Sequence, residues 1–211
     1  MKRIILARHG ESEFNAKGII QGHIDTDLTP RGIVQGHLLA LDIKKRFQVE
    51  RVISSDLRRA YRTAHIVGDT LDLEIEKDHR IREMYFGKWE GKSYKEIFEK
   101  NRRDFENWLR NPIKYPLPSQ EDIEKFLSRL SDFLDYILKL NEREILIVGH
   151  GGSIQGLLCI SLNIGLENLW AFKHTNASYS VISFENNKFF LKELNNNSHL
   201  EKLEKKENPL M

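Results

Sequence analysis

In Arg3-Ile4-Ile5-Leu6-Ala7-Arg8-His9-Gly10 a short apolar run ends in a charged, glycine-bearing turn. Such a run is typical of a buried β-strand. Glu144–Val148 has the same character and ends at Gly149-His150-Gly151-Gly152. Ligand sites of parallel sheets form beyond the carboxyl ends of the strands. We therefore expect His9 and His150 to share one crevice, although they lie far apart in the sequence.

Helical patterns alternate with these strands. Thr29-Pro30 places a hydroxyl cap before a proline at the first helical position, and predicts a helix to about Arg46. The core candidates of this helix are Ile33, Leu38, Leu41 and Ile43. Arg51–Ser54 is a further predicted strand, after which Asp56 is the expected cap of the next helix. The residues that this next helix should bury are Ala60, Thr63, Ala64 and Val67.

The second half of the chain continues the alternation. Ser93-Tyr94-Lys95-Glu96 has the form of a capping box and predicts a helix that ends before Pro112. A loop with three prolines, residues 111–119, precedes a long helix for which Ser119 is the expected cap. Apolar residues at spacings of three and four mark the buried face of that helix. They are Ile123, Phe126, Leu127, Leu130, Phe133, Leu134, Ile137 and Leu138.

The C-terminal part predicts a helix and then a hairpin. The helix should run from about Ser153 to Leu162, and the hairpin should join residues 178–184 to residues 188–194. Together the elements predict an α/β fold, a three-layer α/β/α sandwich whose mostly parallel sheet carries an antiparallel edge strand. We expect a single domain over residues 1–200 and a charged, flexible tail over residues 201–211. An edge hairpin could also pair with a second subunit, which keeps a homodimer open.

Composition narrows the function classes. The 33 Lys and Arg residues almost balance the 31 Asp and Glu residues, so the chain has no electrostatic footprint for nucleic acid. Cys159 is the only cysteine, which excludes an internal disulfide and fits a reducing compartment. No run approaches the roughly 18 apolar residues of a membrane span. We therefore expect a soluble cytoplasmic protein with no membrane partner.

The residues at the predicted strand ends suit phosphoryl transfer. That chemistry needs a nucleophile, cationic groups for the phosphate oxygens and an acid for the leaving group. His9 is the candidate nucleophile, since a neutral imidazole is available near pH 7. Arg8 and Arg59 are candidate phosphate ligands, because a guanidinium can donate two parallel hydrogen bonds. His150 is a further positive candidate if it is protonated, and Glu83 is the candidate acid.

Each of these residues also has a structural interpretation. An Arg-His pair after a strand is usually polar surface, and Arg59 lies in an arginine-rich helix start beside Arg58 and Arg62. A single glutamate such as Glu83 is more often a surface carboxylate than an acid catalyst. Two histidines at the ends of neighbouring strands favour the functional interpretation.

Several blocks of the sequence resemble the histidine phosphatase superfamily, also called the phosphoglycerate-mutase-like family. They occur in the order of the family and cover about the first three-quarters of the chain. The blocks are Leu6-Ala7-Arg8-His9-Gly10-Glu11-Ser12, Asn15, Gln21-Gly22, residues 27–32, residues 54–64, Arg82-Glu83 with residues 86–91, and residues 148–152.

The resemblance implies catalytic roles for five residues. His9 would become phosphohistidine, while Arg8, Arg59 and His150 would form the phosphate pocket. Glu83 would donate a proton to the leaving group and later help to activate water.

The resemblance also implies further contacts with the substrate, a small phosphorylated metabolite. The amide of Asn15 would contact the phosphate, Gln21 would line the entrance, and the Gly151 N–H would add a donor. Gly22 is a further substrate-binding candidate. The family uses no metal, and we expect no cofactor for this chain. This agrees with the scattered remaining histidines, which lack the ligand spacing of a zinc hydrolase.

Two other functions remain open at this point. The superfamily contains cofactor-dependent phosphoglycerate mutases, which resemble one another through long inserted segments. Residues 92–119 lack such an insertion, so the sequence favours a phosphatase over a mutase. The superfamily also contains members that bind ligands without catalysis. The presence of all five catalytic candidates argues against that alternative.

The substrate is less determined. Residues 175–182 and 197–200 resemble bacterial metal-independent phosphoserine phosphatases and α-ribazole phosphatases, with a slight preference for the former. Many relatives carry Gly-Glu-Ser where this chain has Leu117-Pro118-Ser119. A second group of residues should either cover the pocket and favour anionic or ring-bearing metabolites, or form an ordinary packed helix. It comprises Tyr85, Trp89, Tyr94, Trp108 and Tyr115 with Lys88, Lys92, Arg102, Arg103 and Arg110.

Overall fold

The computed structural model describes residues 1–201 and residue 203. Over these residues the strands are β1 (Lys2–Arg8), β2 (Arg51–Ser54), β3 (Ile75–Lys77), β4 (Glu144–Gly149), β5 (Tyr179–Glu185) and β6 (Lys188–Asn196). The helices are α1 (Glu13–Ala16), α2 (Pro30–Arg46), α3 (Arg58–Leu71), α4 (Tyr94–Arg110), α5 (Ile123–Lys139) and α6 (Gly151–Leu162). Short 3-10 segments lie at His79–Ile81, Gly87–Trp89, Leu166–Ala171 and Ser198–Leu200.

The strands form one mixed sheet in the order β3-β2-β4-β1-β5-β6. β1 is central and pairs in parallel with β4 and antiparallel with β5. β2 pairs in parallel with both β4 and β3, and β5 forms the antiparallel hairpin with β6. The predicted fold class is therefore confirmed. β3 was not predicted, because three half-exposed residues carry too little periodicity to mark a strand.

Helices cover both faces of the sheet. Ile5 and Ala7 face a core formed with α2 and α3, whereas Ile4 and Leu6 face a second core formed with α5 and α6. Alternate residues of one strand therefore contact different helical layers. This explains why β1 is a continuous apolar run rather than an alternating one.

The start of α2 is as predicted, but its buried face is different. The Thr29 hydroxyl accepts a hydrogen bond from the Gly32 N–H at 3.0 Å. Leu41, however, is 61% exposed, while Leu39 is buried. Two residues along a helix turn it by about 200°, so Leu41 lies opposite the face that buries Leu39 and Ile43. Small and polar residues share that face and hide it from a count of apolar side chains; they are Gly32, Gln35, Gly36 and Ala40.

Two predicted caps are wrong. Asp56 does not cap α3; its carboxylate pairs with the Arg82 guanidinium through contacts of 2.7 and 2.5 Å. Ser119 does not cap α5, since Asp122 accepts from two backbone N–H groups at the start of that helix. In the first case Asp56 is held by a guanidinium 26 residues away in the sequence. In the second case Asp122 lies nearer to the start of the helix than Ser119 does. Ser93 caps α4 as predicted, by accepting from the Glu96 N–H at 3.1 Å.

The other predicted elements are present with shifted ends. α6 begins at Gly151 rather than near Ser153, so its first turn lies directly beyond β4. Asn186 and Asn187 join the hairpin with positive φ angles of 51° and 57°, as a type I′ turn requires. Most of the predicted tail, residues 201–211, lies outside the described residues. Within residues 1–201 and 203, none of the helices has the length and apolar character to cross a bilayer.

Candidate active site

The two histidines meet at the carboxyl edge of the sheet. Arg8 of β1 and Gly149 of β4 are register partners in neighbouring parallel strands. His9 and His150 follow these partners directly, and their ring centroids lie 5.2 Å apart. The structure therefore places both histidines together, as the strand ends predicted.

His9 is buried, with 2% of its surface exposed. Its Nδ1 lies 2.7 Å from the Gly10 carbonyl oxygen, which can only accept, so Nδ1 carries the hydrogen. Burial, followed by the nearby charges of Arg59 and Arg8, holds the pKa of His9 well below its usual value. The ring is consequently neutral near pH 7, and Nε2 has a free lone pair for attack on an electrophile.

His150 is also neutral, so the protonation on which its role as a positive group depended is not favoured. It is fully buried, and burial together with the charge of Arg59 lowers its pKa well below the usual range. Its Nε2 lies 2.9 Å from the Ser55 Oγ. Ser55 was not assigned a role from the sequence, because this contact joins residues that follow two different strands, β2 and β4. His150 can therefore serve as an oriented neutral group rather than as a charge.

Two guanidinium groups supply positive charge. Arg59 is 1% exposed, and its Nη1 and Nη2 donate to the carbonyl oxygens of Ile24 and Gly22 at 3.0 and 2.8 Å. Burial lowers the pKa of Arg59 to about 10, which leaves it charged at neutral pH. The Gly22 carbonyl therefore orients the Arg59 side chain. The second guanidinium belongs to Arg8, whose Nη1 donates to the His174 carbonyl at 2.5 Å.

The amide groups of Asn15 and Gln21 have fixed orientations. Asn15 Oδ1 accepts from the Ser12 backbone N–H at 3.2 Å and from Asn176 Nδ2 at 3.0 Å. Gln21 Oε1 accepts from the hydroxyls of Ser12 and Thr26 at 2.8 and 2.7 Å. Since both amide oxygens are occupied, each residue has its N–H₂ group left for a ligand in the cavity that it lines.

Glu83 lies at the N-terminus of α6. Its Oε2 accepts from the Gly152 N–H at 3.1 Å, and its Oε1 accepts from the Met84 N–H at 2.9 Å. Its backbone carbonyl accepts from Arg129 and from the Nε2 of His23, at 2.9 and 2.8 Å. These contacts hold the Glu83 carboxyl group near the guanidinium groups of Arg8 and Arg59.

Most of the predicted site residues line one cavity, which has a volume of about 600 Å³. The predicted site residues on its wall are Arg8, His9, Asn15, Gln21, Gly22, Arg59, Glu83 and Gly151. His150 is not on the wall; it is fully buried beside the His9 ring. Its influence on a ligand would therefore pass mainly through its neighbours.

The predicted aromatic and basic cover is only partly present. Tyr94 and Trp108 line the cavity, but Tyr85, Trp89 and Tyr115 do not. The predicted basic residues, which are Lys88, Lys92, Arg102, Arg103 and Arg110, do not line it either. Lys173 and three neighbours, Trp170, Ala171 and Phe172, take that place. They follow α6, in a segment to which no role was assigned from the sequence.

Asn176 is a further residue that sequence reasoning missed. Its Nδ2 lies 3.2 and 3.3 Å from the carbonyl oxygens of His9 and Gly10, and it also donates to Asn15. We expect Asn176→Ala to lower kcat/KM about 10- to 100-fold, because both the His9 backbone and the Asn15 amide lose their anchor. Steady-state kinetics on folded protein would measure this. Asn168→Ala, at an exposed position, is the control, and an equal effect in both variants would contradict the role.

The buried histidines predict lower stability in acid. The pKa of His174 falls to about 4 on burial, so the unfolded chain binds its proton first as the pH drops below about 6.5. Stability is therefore lost as the pH falls, by about 2 kcal/mol for this group between pH 7 and pH 5. Urea unfolding of His174→Gln should show a smaller pH dependence than the unaltered protein. The exposed His37→Gln should retain it, and identical slopes in all three proteins would refute the assignment.

Metal ligation has no obvious location in the described part of the chain. Within residues 1–201 and 203, no three His, Cys, Asp or Glu side chains lie close enough together to hold an ion.

Comparisons with known proteins identify relatives of this chain. The sequence profile of the histidine phosphatase superfamily (branch 1) matches residues 4–197. A Hydrogenobacter thermophilus protein, provisionally named phosphoserine phosphatase 2, is 44% identical over 203 residues, which cover 96% of this chain and 100% of that protein. The adenosylcobalamin/α-ribazole phosphatase of Escherichia coli is 28% identical over 195 residues, covering 89% of this chain and 92% of that one.

A solved structure gives the same result. A mutant phosphoserine phosphatase from Entamoeba histolytica, in complex with phosphoserine, superposes with a TM-score of 0.82 at 28% identity. The match covers 95% of this chain and 100% of that one. The profile match spans more than half of the chain and includes both histidine-bearing strand ends. The chain therefore belongs to the histidine phosphatase superfamily.

Proposed function

We propose that the protein is a metal-independent phosphomonoesterase that hydrolyses a small-metabolite ester through a phosphohistidine on His9. One observation carries the proposal. His9 is neutral with its hydrogen on Nδ1, and it lines a cavity that also holds two guanidinium groups and a carboxyl group.

The first step transfers the phosphoryl group to the enzyme. Nε2 of His9 attacks phosphorus, so an N–P bond forms while the ester P–O bond breaks. Arg8 and Arg59 bind the non-bridging oxygens, whose charge they balance as the bonds change. Glu83, in its protonated form, gives its proton to the leaving alcohol oxygen. The Nδ1–H bond to Gly10 stabilises the positive charge that develops on the ring.

The second step returns the enzyme to its starting state. The Glu83 carboxylate takes a proton from water as the water oxygen attacks phosphorus. The N–P bond breaks, inorganic phosphate leaves, and His9 recovers the lone pair on Nε2. Glu83 is protonated again and ready for the next ester.

Hydrolysis is favoured over the two alternative functions. Relatives named as phosphatases span nearly the full chain, and residues 92–119 contain α4 and a loop rather than a long insertion. A non-catalytic role is disfavoured because His9, Arg8, Arg59 and Glu83 meet in one cavity. Phosphoserine and α-ribazole phosphate, named in the relatives, are the first substrates to assay.

We also propose residues 1–200 as one domain and the cytoplasm as the location, since the single cysteine fits a reducing compartment.

Turnover and trapping experiments test the proposal. The protein should hydrolyse p-nitrophenyl phosphate at an unchanged rate in EDTA. Quenching during turnover of a labelled ester should trap an acid-labile, alkali-stable label on His9. Loss of activity in EDTA, or label on serine, would refute the mechanism. Conversion of 3-phosphoglycerate to its isomer faster than its hydrolysis would instead support the mutase.

A further inference from the structure

The cavity wall beyond the phosphate ligands is mainly aromatic. We call this part the aromatic wall, and it consists of Phe86, Tyr94, Phe105, Trp108, Trp170 and Phe172. The indole rings of Trp108 and Trp170 lie 4.6 Å apart, and Phe86 contacts both. The polar N–H of Trp108 donates to Gln120 at 3.0 Å, so the ring offers the cavity apolar surface. Ile19 and Leu109 extend this surface.

The aromatic wall begins beside the candidate acid. A Cβ at Gly152 would lie 2.4 Å from Oε1 of Glu83 and 3.3 Å from Cη2 of Trp170. Both side chains therefore pack over the same glycine. An ester oxygen within reach of Glu83 would direct its alcohol substituent toward Trp170. The leaving group, rather than the phosphate, is thus the part of the substrate that meets the wall.

Few charges accompany the aromatic wall. Apart from the groups around the phosphate site, Lys173 is the lining residue with a permanent charge in the described part of the chain, and it is exposed. His174 is neutral, because burial lowers its pKa to about 4. The carboxylate of an amino acid ester could pair with Lys173, but its ammonium group finds Glu83 as the sole lining carboxylate. Glu83 is already assigned to proton transfer.

The cavity is also large for an amino acid ester. Its volume of about 600 Å³ lies in the range of sites that enclose drug-sized ligands, roughly 300–1,000 Å³. A phosphoserine molecule would leave most of the aromatic surface in contact with water. A larger apolar substituent would bury that surface and gain binding free energy in proportion to the area.

We propose that the preferred ester carries a ring or a similarly large hydrocarbon group on its alcohol portion, bound by the aromatic wall. The inference rests on the proposed function for the orientation of the ester. It separates this chain from the amino acid phosphate named in several of its relatives.

Phosphonates test the binding preference without turnover. Calorimetry at one pH would compare 3-phenylpropylphosphonate, propylphosphonate and the phosphonate analogue of phosphoserine. We expect the phenyl compound to bind about tenfold or more tightly than either of the others. Equal affinities for the phenyl and propyl compounds would overturn the inference. Tighter binding of the amino acid analogue would also overturn it, and would assign the aromatic faces to an ammonium group.

Variants locate the effect. Phe172→Ala and Leu109→Ala should each reduce the phenyl-to-propyl affinity ratio several-fold, since both side chains line the cavity. Phe98→Ala is the matched control, because Phe98 lies on α4 but is 44% exposed and outside the lining. Trp108 is left unchanged, since its deep burial makes misfolding a competing explanation. An unchanged ratio in both test variants would refute the placement.

Hydrolysis assays separate this inference from the proposed function. The corresponding esters are 3-phenylpropyl phosphate, propyl phosphate and phosphoserine, all with alkyl leaving groups. If none is hydrolysed but the phosphonate preference holds, the proposed function fails and the aromatic wall keeps its assignment. If phosphoserine is hydrolysed fastest and the phosphonates show no ring preference, the inference fails and the phosphatase function stands.

Discussion

Replacing His9 with asparagine is expected to reduce kcat by at least about 10⁴-fold, the order of loss seen when a catalytic nucleophile is removed. Asparagine can still donate to the Gly10 carbonyl, but it has no lone pair equivalent to the imidazole Nε2. The substitution therefore removes the atom that would bond to phosphorus and keeps the local hydrogen bond. Steady-state turnover of p-nitrophenyl phosphate, with quenched labelling of the protein, measures both the rate and the intermediate.

A second histidine provides the control for this variant. His37 is exposed on α2, and His37→Asn should retain activity and label. Inorganic phosphate should still bind to His9→Asn, because Arg8 and Arg59 remain in the cavity. If His9→Asn still accumulates an acid-labile label, the nucleophile is a different residue.

The strand ends made the central part of this site predictable. β1 and β4 are apolar on both faces, so their sequences are continuous runs that stop where the chain leaves the sheet. Each run stops at a histidine, and parallel pairing then brings the two histidines together. Position along the chain was sufficient here, because the register of neighbouring parallel strands places their ends side by side.

The electrostatic state of the site was not predictable in the same way. The sequence left the protonation of His150 open, and complete burial beside Arg59 makes the neutral ring more stable. Its partner Ser55 is 95 residues away in the sequence, and Asn176 contacts a residue 167 positions away. Strand patterns can bring two strand ends together, but they do not identify hydrogen-bond partners at such separations. Burial and long-range hydrogen bonds have to be seen in the folded chain.

The cavity wall shows a further limit. The sequence indicated aromatic residues on α4, but not which of them face the site. Trp170 and Phe172 lie at the end of a 3-10 segment, where the short repeat gives no amphipathic pattern to interpret. The proposed substrate preference depends on these residues. The fold and the family were accessible from the sequence, whereas the residues of the aromatic wall were not.

The leaving group also decides the expected behaviour of Glu83→Gln. Removal of a general acid should lower kcat/KM for an alkyl phosphate by about 10²- to 10⁴-fold, because an alkoxide leaves poorly without a proton. For p-nitrophenyl phosphate the loss should be below about tenfold, since nitrophenolate needs little protonation. Both values report steps up to phosphorylation of His9. The later hydrolysis also loses its base, so nitrophenol should be released in a burst close to the enzyme concentration.

The Glu83→Gln substitution changes the hydrogen bonding of the side chain as well as its acidity. The Glu83 carboxylate accepts from two backbone N–H groups, of Gly152 and Met84. A glutamine amide has one acceptor oxygen, so one of these donors loses its partner at a cost of about 1–3 kcal/mol. Urea unfolding must therefore show that the variant is folded at the assay temperature, with the exposed Glu74→Gln as the control. Destabilisation alone would lower the fraction of folded enzyme, and would therefore reduce the activity on both substrates by the same factor. Only the loss of an acid makes the reduction depend on the leaving group, so equal losses would remove Glu83 from that role.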